Sequence, residues 1–408
     1  MRVLMVADFY EPYVGGVEQH VRSLSHGLVD RGHEVAVATT ATARAPRGVV
    51  ADGPVAVHRI PTLSARFGRA HAAADRPWAP PIVDPVASRH LRRLVRSWAP
   101  DVVHGHDWLA RSATPWCRDG GPAFVATQHY YTRSCARKDL WRDGAVCAGP
   151  TLRGCVACTA DTYGAALAVP VTLGTRLGAR SEDRASRATI AVSEATATGN
   201  RTPPGYSVIP NLLPPPRIAA PSEVESALDA LPLPPVPFVL FIGDLRPTKG
   251  FHTLLDALSR LDDPPALVVV GERDRSSPDE LPAHVHHLGT VDNALVGPLL
   301  ERSRFAVVPS VWAEPFGIVA IEAMTAGRAV VASDTGGLGE LVEPGVTGLL
   351  TPPGDAVALA GAIEELWNDP ERAEAMGRAG RTAASRYRPE RVVPLVEAVY
   401  ETVVRNGR

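Results

Sequence analysis

The stretch RVLMVADFYEPYVGGVEQHVRSLSHGLVDRGHEVAVATT, residues 2–40, predicts how the first part of this chain folds. Residues 2–7 form an apolar run typical of a buried strand, and residues 34–40 form a second one. Between them, apolar residues recur at helical spacing, and Gly32 favours the end of the helix. The apolar positions are Val17, Val21, Leu24 and Leu28. This strand–loop–helix–strand order predicts the opening of a doubly wound parallel α/β sheet.

Apolar runs of the same kind recur along the chain. Two of them, within residues 101–108 and 123–129, continue the first series. A second series lies at residues 238–245, 266–272, 285–289, 305–310 and 329–334, with helical patterns between its members. We therefore predict two parallel α/β domains in series.

A proline-rich stretch without periodicity, residues 210–221, separates the two series of strands. We place an N-terminal domain at residues 1–212 and a C-terminal domain at residues 213–386. A last helical pattern lies within residues 387–408.

Composition and charge restrict the classes of function. The chain has 408 residues, of which 45% are hydrophobic and 21% charged, as is typical of a globular protein. Up to residue 212 there are 25 Arg and Lys against 17 Asp and Glu, and the remainder has the opposite excess. Either the two surfaces are solvated differently, or the first half receives an anionic, phosphorylated or membrane-bound partner. Basic residues are not interleaved with stacking aromatic residues, so we expect no nucleic-acid binding.

The sequence also bears on location. It contains no stretch of about 18 apolar residues, so we expect no transmembrane helix. The first residues lack the features of a signal peptide, and we expect a cytoplasmic protein, either free or at the inner face of the membrane. The amphipathic, arginine-rich segment 88–100 would support peripheral membrane contact if its apolar stripe met lipid. We favour the commoner outcome, in which such a stripe packs on the sheet.

Lys249 is one of only two lysines in a chain with 42 Lys and Arg, and the other is Lys138. A lysine in so arginine-rich a chain indicates a site that needs a compact ammonium group. Lys249 and Arg246 lie in GDLRPTKG, between a predicted strand and a predicted helix, where free backbone N–H groups favour an anion. The pair indicates a pyrophosphate site; the alternative is a solvated turn with two surface cations.

The segment SVWAEPFGIVAIEAMTAG, residues 310–327, contains two glutamates with seven residues between them. Glu314 precedes a predicted helix, and Glu322 lies within it. Amides at the start of that helix can meet phosphate or sugar oxygens. They belong to Phe316, Gly317, Ile318 and Val319. Two carboxylates there could bind sugar and ribose hydroxyls; the alternative is one capping and one exposed helical glutamate.

Together these motifs resemble the retaining glycosyltransferases of family 4, and the resemblance covers nearly the whole chain. It begins at GGVEQHV and continues through DVVHGHDW and ATQH. It is most specific in GDLRPTKG, in AEPFGIVAIEAMTAG and in GGLGELVEPGVTGLL. The resemblance implies the GT-B fold, with two Rossmann-like domains facing a central cleft. It also implies that the N-terminal domain takes the acceptor, that the C-terminal domain takes the donor nucleotide, and that the closing helix packs back on the N-terminal domain.

The resemblance implies roles for individual residues. Lys249 and Arg246 match the cations that bind the diphosphate of the donor. Glu314 matches a glutamate beside the transferred sugar, and Glu322 matches one that holds the nucleotide ribose. His129 matches a histidine at the donor sugar on the reacting face.

Glycines and two departures complete the comparison with the family. Gly15 and Gly16 match a glycine loop near the donor phosphates, and Gly271 falls in a loop expected to face the base. Asp244 stands where relatives often have an arginine directly after the glycine of the motif. Asn211 is followed by leucine, where the linker of relatives has glycine.

The implied reaction is transfer from a nucleoside-diphosphate sugar, of UDP or GDP type, to a hydroxyl of a small-molecule, lipid or glycan acceptor. The family implies retention of configuration, with attack from the side of the leaving group. Fixed cations and helix N–H groups can stabilise the departing diphosphate. The sequence has no Asp-x-Asp pair, and we expect no catalytic metal. The alternatives are a non-catalytic nucleotide-sugar-binding partner and a sugar epimerase of the same fold.

Four of the five cysteines lie close together in a predicted insertion, residues 130–160. They are Cys135, Cys147, Cys155 and Cys158. An irregular insertion has little core of its own, and four thiols with one C-x2-C pair suit tetrahedral Zn²⁺. We favour structural zinc; free thiols, a disulfide and an iron–sulfur cluster are the alternatives. Cys117 has the features of a core thiol.

The end of the strand at residues 101–108 offers candidates for the acceptor. They are His104, His106, Asp107 and Trp108. The alternative is that these residues make capping and loop hydrogen bonds. The H-x-H spacing also suits a metal, but the sequence indicates no partner ligands.

Overall fold

The computed structural model describes residues 1–13, 15–64, 79–118, 120–213 and 221–406, and it divides into two units. The first comprises Met1–Arg142, Cys147–Pro214 and Pro389–Arg408, and the second comprises Asp143–Val146 and Pro215–Arg388. The main division, between residues 214 and 215, lies two residues from the boundary predicted at 212. Each unit contains its own parallel sheet.

Ten strands lie in the N-terminal half. They are β1 (Arg2–Ala7), β2 (Glu34–Thr40), β3 (Gly48–Asp52), β4 (Val55–Ile60), β5 (Val102–Gly105), β6 (Ala123–Gln128), β7 (Trp141–Arg142), β8 (Ala145–Val146), β9 (Ser186–Ala191) and β10 (Ser207–Val208). Eight of them form one sheet in the order β10-β9-β6-β5-β1-β2-β4-β3, and β7 and β8 pair separately. All neighbours in the large sheet are parallel except β3 and β4.

The central strands of this sheet are apolar because both of their faces are covered. Val3 and Met5 of β1 belong to one buried cluster. Leu4 and Val6 belong to a second cluster on the other face. The carboxyl ends of β1, β5 and β6 meet at one edge of the sheet, where ligands bind in such folds.

Helices cover both faces of the first sheet. They are α1 (Gly16–Asp30), α2 (Pro85–Trp98), α3 (Leu152–Tyr163), α4 (Ala165–Ala185) and α5 (Glu194–Gly199). At the start of α2, the Asp84 carboxylate accepts hydrogen bonds from the amides of Val86 and Ala87. Leu91 of α2 is fully buried in the core, so the amphipathic stripe of this helix packs inside the unit.

The second unit has a six-stranded, wholly parallel sheet. Its strands are β11 (Phe238–Ile242), β12 (Ala266–Val270), β13 (Val285–His287), β14 (Phe305–Val308), β15 (Ala329–Ser333) and β16 (Gly348–Thr351), in the spatial order β13-β12-β11-β14-β15-β16. Its helices are α6 (Pro221–Asp229), α7 (Phe251–Leu258), α8 (Asn293–Arg302), α9 (Ile318–Thr325), α10 (Leu338–Leu341), α11 (Ala356–Asn368) and α12 (Pro370–Ala384).

The last helix, α13 (Pro389–Arg405), belongs to the first unit. Val393 packs against Gly27 of α1, where a Cβ atom would lie 2.7 Å from its Cγ2. The buried Tyr400 hydroxyl lies 2.6 Å from Nδ1 of His104 at the end of β5. Within the described part of the chain, no helix has the length and apolar character needed to cross a membrane.

The prediction of two parallel α/β domains is confirmed. Each of the nine predicted strands overlaps an observed one, whereas β3, β4, β7, β8, β9, β10 and β16 were not predicted. The β3 strand is exposed at the edge of the sheet, with Val49 63% and Val50 40% exposed. An edge strand does not need the continuous apolar run of a central strand, which is the pattern that identified the others.

Candidate functional site

In the second unit, the turn between β11 and α7 holds Lys249 close to the sheet. Pro247–Lys249 form one 3₁₀ turn, and Gly250 follows with φ of 74°. A Cβ atom at Gly250 would lie 1.7 Å from the carbonyl oxygen of Pro309. The glycine is therefore needed both for its left-handed conformation and for close contact with the segment after β14.

The Lys249 ammonium is paired with Glu314. Its Nζ lies 2.9 Å from Oε2 and 3.2 Å from Oε1 of that carboxylate. Glu314 Oε2 also accepts hydrogen bonds from the Ser310 hydroxyl and the Trp312 indole, at 3.1 and 2.9 Å. The Glu314 side chain is 13% exposed and that of Lys249 is 34% exposed. The carboxylate is thus fixed by neighbours, and the ammonium is the more accessible partner.

The backbone at Glu314 is fixed by the two glycines that follow β15. The amide of Gly337 donates to the Glu314 carbonyl at 2.7 Å. A Cβ atom at Gly336 would lie 2.2 Å from the same oxygen. The glycine pair of GGLGELV therefore allows this close approach and helps set the position of the Glu314 carboxylate.

The start of α9 follows the expected pattern. Gly317 is its N-cap, with φ of 105°, and the helix begins at Ile318, followed by Val319. Phe316 is buried, and its ring packs edge-on against Tyr387. The α9 amides at this end therefore follow directly after the Glu314 loop, as the anion-binding prediction requires.

Glu322 lies one turn into α9, and burial raises the pKa of its carboxyl to about 7. By surface area the residue is only partly buried, but the carboxyl lies deep enough for desolvation to dominate. No protein group within the described residues forms a hydrogen bond or an ion pair with it. Because the ionised carboxylate is buried without a hydrogen-bond partner in the part of the chain that the structure describes, a ligand whose hydroxyls donate to it would stabilise the ionised form.

Arg246 has different partners from Lys249. Its guanidinium lies 3.0 Å from Asp244 and 3.4 Å from Asp274, and its side chain is 53% exposed. Asp244, which departs from the family pattern, therefore pairs with Arg246, the residue predicted to bind the diphosphate. Gly271, at the end of β12, packs on the end of β11, where its Cβ atom would lie 2.0 Å from the Gly243 carbonyl oxygen. This close approach gives Gly271 a structural reason to be glycine.

In the first unit, three imidazoles meet at the carboxyl edge of the sheet. Nδ1 of His106 lies 3.1 Å from Nε2 of His129, and Nδ1 of His129 lies 3.0 Å from Oδ1 of Asn211. His20 of α1 packs edge-on against His129, and its Nδ1 accepts a hydrogen bond from the Leu212 amide. Burial lowers the pKa of His129 to about 4 and that of His20 and His106 well below the ordinary value. The cluster is therefore uncharged at neutral pH.

The same three histidines are the one group in the described ranges whose ligand atoms all lie within 4.8 Å of one another, as a metal site requires. Their nitrogens are largely used for hydrogen bonds, and only Nε2 of His106 is buried without a partner in the described residues. We interpret the group as a hydrogen-bond chain from Asn211 through His129 to His106. Such a chain fixes the tautomer of His129.

Lys138 lies at the same edge of the sheet, next to Asp107 and Asp8. Its Nζ lies 2.9 Å from both oxygens of Asp107 and 3.4 Å from Asp8. Burial disfavours the charge on Lys138, but the two carboxylates outweigh this effect and raise its pKa. Burial and the nearby Asp107 raise the pKa of Asp8 to about 7, although Lys138 and the Leu109 amide oppose the shift.

Three of the residues predicted to contact the acceptor have structural roles here. Trp108 is fully buried, and its indole donates to the Thr132 carbonyl, which leaves no indole surface for a ligand. His104 is also fully buried, between Tyr400 and Thr127. Asp107 accepts from the Trp108 amide as well as from Lys138.

The glycine loop before α1 is occupied by a side chain of the helix itself. Gly15 is the N-cap in an extended conformation, and Gly16 is the first helical residue. A Cβ atom at Gly15 would lie 2.5 Å from Oε2 of Glu18. The absence of a side chain at Gly15 thus makes room for the Glu18 carboxylate, at the end of the helix where the resemblance implies a phosphate.

The four clustered cysteines lie in the first unit, and none of them forms a disulfide in the described residues. Cys135, Cys147, Cys155 and Cys158 line one cavity of about 40 Å³. The Cys135 thiol points toward Asp139, and that of Cys147 toward the Gly149 carbonyl, so the sulfurs are not arranged around a common point. Burial raises the pKa of Cys117, which lies in the core, to about 12.

Some of these residues were not identified from the sequence as functional. Asp8, His20 and the role of Lys138 emerged only from the structure. Two features pointed to them: Lys138 is the second of two lysines, and Asp8 directly follows the first buried strand. His20 lies on the inner face of α1, where the sequence indicated only a helix.

Two family models match the chain. "Glycosyltransferase Family 4" matches residues 14–211, and "Glycosyl transferases group 1" matches residues 230–383. The first match covers every strand of the first sheet except β1, and the second match covers all six strands of the second sheet.

Curated relatives are also similar over long stretches. The chain is 29% identical over 417 residues to the glycogen synthase of Mycobacterium tuberculosis, which covers 93% of this chain and 89% of that protein. It is 37% identical over 177 residues to the phosphatidyl-myo-inositol mannosyltransferase of Mycobacterium leprae, which covers 41% of this chain and 47% of that protein.

Solved structures share the fold. The sucrose-phosphate synthase from Thermosynechococcus elongatus superimposes with a TM-score of 0.73 at 21% identity, over 99% of both chains. Anabaena HepE in complex with UDP-glucose superimposes with a TM-score of 0.66 at 18% identity, over 98% of this chain and all of that one. At these identities the similarity shows the fold alone.

Proposed function

We propose that this chain, which belongs to the family 4 glycosyltransferases of GT-B fold, moves a sugar from a nucleoside-diphosphate sugar to a hydroxyl with retention of configuration. Its family models and its curated relatives are glycosyltransferases, so the chain is an enzyme of sugar transfer. The donor type, the stereochemistry and the roles of individual residues are the new content of the proposal.

The observation that carries the proposal is the pair of Lys249 and Glu314. An ammonium held 2.9 Å from an anchored carboxylate can exchange that carboxylate for a diphosphate without leaving the site. Negative charge develops on the diphosphate oxygens as the sugar–oxygen bond breaks, and a cation placed beforehand stabilises that charge. The amides at the start of α9 add partial positive charge to the same region of the second unit.

A nucleotide donor also accounts for Glu322. The ribose hydroxyls can donate hydrogen bonds to a carboxylate that has no protein partner in the described residues. Anabaena HepE, which shares the fold, was solved with UDP-glucose, and this supports a nucleotide-sugar donor. We favour a donor of UDP type, with GDP type as the alternative.

In the proposed reaction, the acceptor hydroxyl attacks the anomeric carbon from the face that the diphosphate leaves. The leaving phosphate oxygen takes the hydroxyl proton, so no enzymic base is needed. Because the acceptor oxygen attacks the anomeric carbon directly, no enzymic nucleophile is needed either. His129 is held in one tautomer by Asn211 and accepts a hydrogen bond from His106 at Nε2. To orient the donor sugar as a neutral group, Nε2 would exchange His106 for a sugar hydroxyl. Lys249 and the helix amides supply the charge stabilisation that a metal supplies in other transferases.

The acceptor is proposed only as a class. The relatives carry the names of enzymes that act in glycogen synthesis, on phosphatidyl-myo-inositol and on D-inositol 3-phosphate. We propose a polyhydroxylated acceptor, either a small molecule, a lipid or a glycan. The excess of Arg and Lys up to residue 212 supports an acceptor that carries a phosphate.

The test is a thermal-shift panel of UDP, GDP, ADP, TDP and their sugar conjugates on wild type and on Lys249→Ala. A ligand at 100 times its Kd adds about 2.7 kcal/mol to the free energy of unfolding. We expect one nucleotide to stabilise the wild type and to lose most of its effect on Lys249→Ala. Arg260→Ala, which removes a surface cation of the same unit paired with Asp256, is the matched control and should keep the shift.

A product assay then separates transfer from the alternatives. Incubation of the stabilising donor with a panel of polyol acceptors should release free nucleoside diphosphate and a glycoside with the donor's anomeric configuration. Nucleotide binding without release would favour a non-catalytic partner, and a new sugar isomer without release would favour an epimerase. If no nucleotide stabilises the wild type, the donor site proposed for the second unit is wrong.

A further inference from the structure

Four cysteines of the first unit line one small cavity within the insertion. Its volume of about 40 Å³ exceeds the space of a single water molecule. Arg137 and Arg142 line the same cavity. Nη1 of Arg137 lies 3.8 Å from the sulfur of Cys158.

The local backbone explains why the four cysteines line the same cavity. Cys155 and Cys158 are one turn apart at the start of α3, whose first turn is capped by the Thr151 hydroxyl. The amide of Cys147 donates to the Leu140 carbonyl and so holds the hairpin end near the turn that follows Cys135. Three short segments within residues 135–158 thus bring Cys135, Cys147 and the pair Cys155 and Cys158 to the cavity.

We propose that Cys135, Cys147, Cys155 and Cys158 bind one Zn²⁺ ion, and that this ion holds Lys138 in place between Asp8 and Asp107. Four thiolates in tetrahedral arrangement are a common structural zinc site. In this structure the sulfurs point to other partners, so binding requires rotation of the cysteine side chains around the cavity. Four thiolates and Zn²⁺ carry a net charge of −2, which the two arginines at the cavity offset.

The connection to Lys138 follows from the short turn that joins it to Cys135. The Lys138 amide donates to the Cys135 carbonyl, and the amide of Cys135 donates to Tyr131. Lys138 and Leu140 have φ of 69° and 49°, conformations that side-chain-bearing residues rarely adopt. Such a conformation persists only where the surroundings impose it, and this insertion has few large buried side chains to do so.

This turn places the Lys138 ammonium between Asp8 and Asp107, at the carboxyl edge of the sheet of the first unit. The ammonium neutralises two carboxylates that follow β1 and β5, at the edge of the sheet where such folds bind ligands. If the proposed function is right, this is the side that meets the acceptor. Lys138 then positions the carboxylates of Asp8 and Asp107 for the acceptor, and the zinc affects the acceptor only by holding Lys138 in place.

The first experiment measures metal content in the full-length protein purified without chelator. Inductively coupled plasma mass spectrometry should find about one zinc per chain in wild type and less than a tenth of that in Cys155→Ser/Cys158→Ser. Cys117→Ala, which changes the core thiol outside the cluster, is the control and should retain the zinc. Iron with absorbance near 400 nm, a disulfide in the intact mass, or four clustered thiols that react freely with no metal bound would each overturn the proposal.

The second experiment tests the connection to Lys138. Hydrogen exchange of peptides that cover residues 130–142 should be at least tenfold faster in the zinc-free double variant than in wild type. Lys138→Met should keep its zinc, which separates the loss of the ion pair from the loss of the metal. Unchanged exchange in the zinc-free protein would refute the positioning role.

Kinetics supply a readout that does not depend on folding alone. Zinc loss should raise the KM for acceptor by about tenfold or more and leave the nucleotide-induced thermal shift of the second unit unchanged. Because metal content and exchange are measured without turnover, this inference can fail while the transferase proposal stands, and the reverse also holds.

Discussion

The two lysines of this chain have similar surroundings in the two units but very different freedom. Each ammonium is paired with a carboxylate and lies over a tryptophan ring, at 4.5 Å from the centroid for Lys138 with Trp108 and 5.3 Å for Lys249 with Trp312. The Lys138 side chain is 19% exposed and that of Lys249 is 34% exposed. Lys249 pairs with one carboxylate, that of Glu314, whereas Lys138 pairs with two, those of Asp8 and Asp107.

The Lys249 carboxylate, Glu314, can release its partner at small cost. It keeps two other donors, the Ser310 hydroxyl and the Trp312 indole. Lys138 neutralises two buried carboxylates at once, and its removal would leave them close together without a cation. From this difference we propose that Lys249 exchanges partners during the reaction, whereas Lys138 stays in its ion pairs.

The largest effect should come from removing the exchangeable lysine. Lys249→Ala should lower kcat about 10² to 10³-fold, because the departing diphosphate loses its fixed cation. The free energy of unfolding should fall by about 1 kcal/mol or less, since the pair is partly exposed and Glu314 keeps two hydrogen bonds. Steady-state kinetics and urea unfolding measure the two quantities.

Lys249→Arg sharpens this prediction because it keeps the charge and changes its shape. A planar guanidinium cannot occupy the place of a compact ammonium against Glu314, so we expect less than full recovery of kcat. A kcat equal to that of wild type would show that any cation serves, and a large loss of stability in Lys249→Ala would show that this lysine, too, is structural.

The second prediction concerns the structural lysine. Lys138→Met should lower the free energy of unfolding by about 3 kcal/mol, near the lower end for loss of one partner of a buried ion pair, because the lysine is partly exposed. Adding Asp107→Asn should recover part of that loss, because it removes one of the two opposed carboxylates. If the single change costs less than 1 kcal/mol, the contrast between the two lysines does not hold.

The fold could be predicted from the sequence where the physics is local. The central strands are apolar throughout because helices cover both faces of a parallel sheet, and α1 has a clear apolar stripe. The edge strands β3 and β16 lack that pattern. Nothing local in their residues distinguishes them from loops.

The site was predictable only in part, because its contacts join residues far apart in the sequence. Lys249 and Glu314 were both identified, but their pairing across 65 positions follows from the turn at Gly250 and the glycines after β15. Lys138 and Asp8 are 130 positions apart, and only the sheet brings them together. Similarly, the full burial of Trp108 depends on packing that its position after a strand does not reveal.

The third prediction uses the carboxyl of Glu322, whose pKa burial raises to about 7. Ribose hydroxyls donate to the ionised form, so nucleotide binding below pH 7 should release a proton from this carboxyl. The affinity for nucleotide should therefore fall up to tenfold for each unit by which the pH is lowered below 7. In the free protein the native state holds this proton more tightly than the unfolded state, so this group's contribution to stability falls as pH rises from about 4.5 to 7.

Calorimetry of nucleotide binding in two buffers with different ionisation enthalpies counts the released protons. Glu322→Gln should abolish both the proton release and the pH dependence. The exposed Glu364→Gln of α11 should change neither. Proton release that persists in Glu322→Gln would assign the titration to another group.

The smallest effect should come from Asp244, the acidic residue that pairs with Arg246. Asp244→Ala should remove the nearer of the two carboxylates that pair with this guanidinium, Asp274 being the other, and strengthen nucleotide binding about twofold to fivefold, as expected for an exposed ion pair. The gain should shrink in high salt, which screens exposed charges. Asp256→Ala, which breaks the exposed pair with Arg260 in the same unit, is the matched control and should leave affinity unchanged. Weaker binding by Asp244→Ala would mean instead that Asp244 orients Arg246 toward the ligand, and the departure from the family pattern would then be an alternative way to hold the same cation.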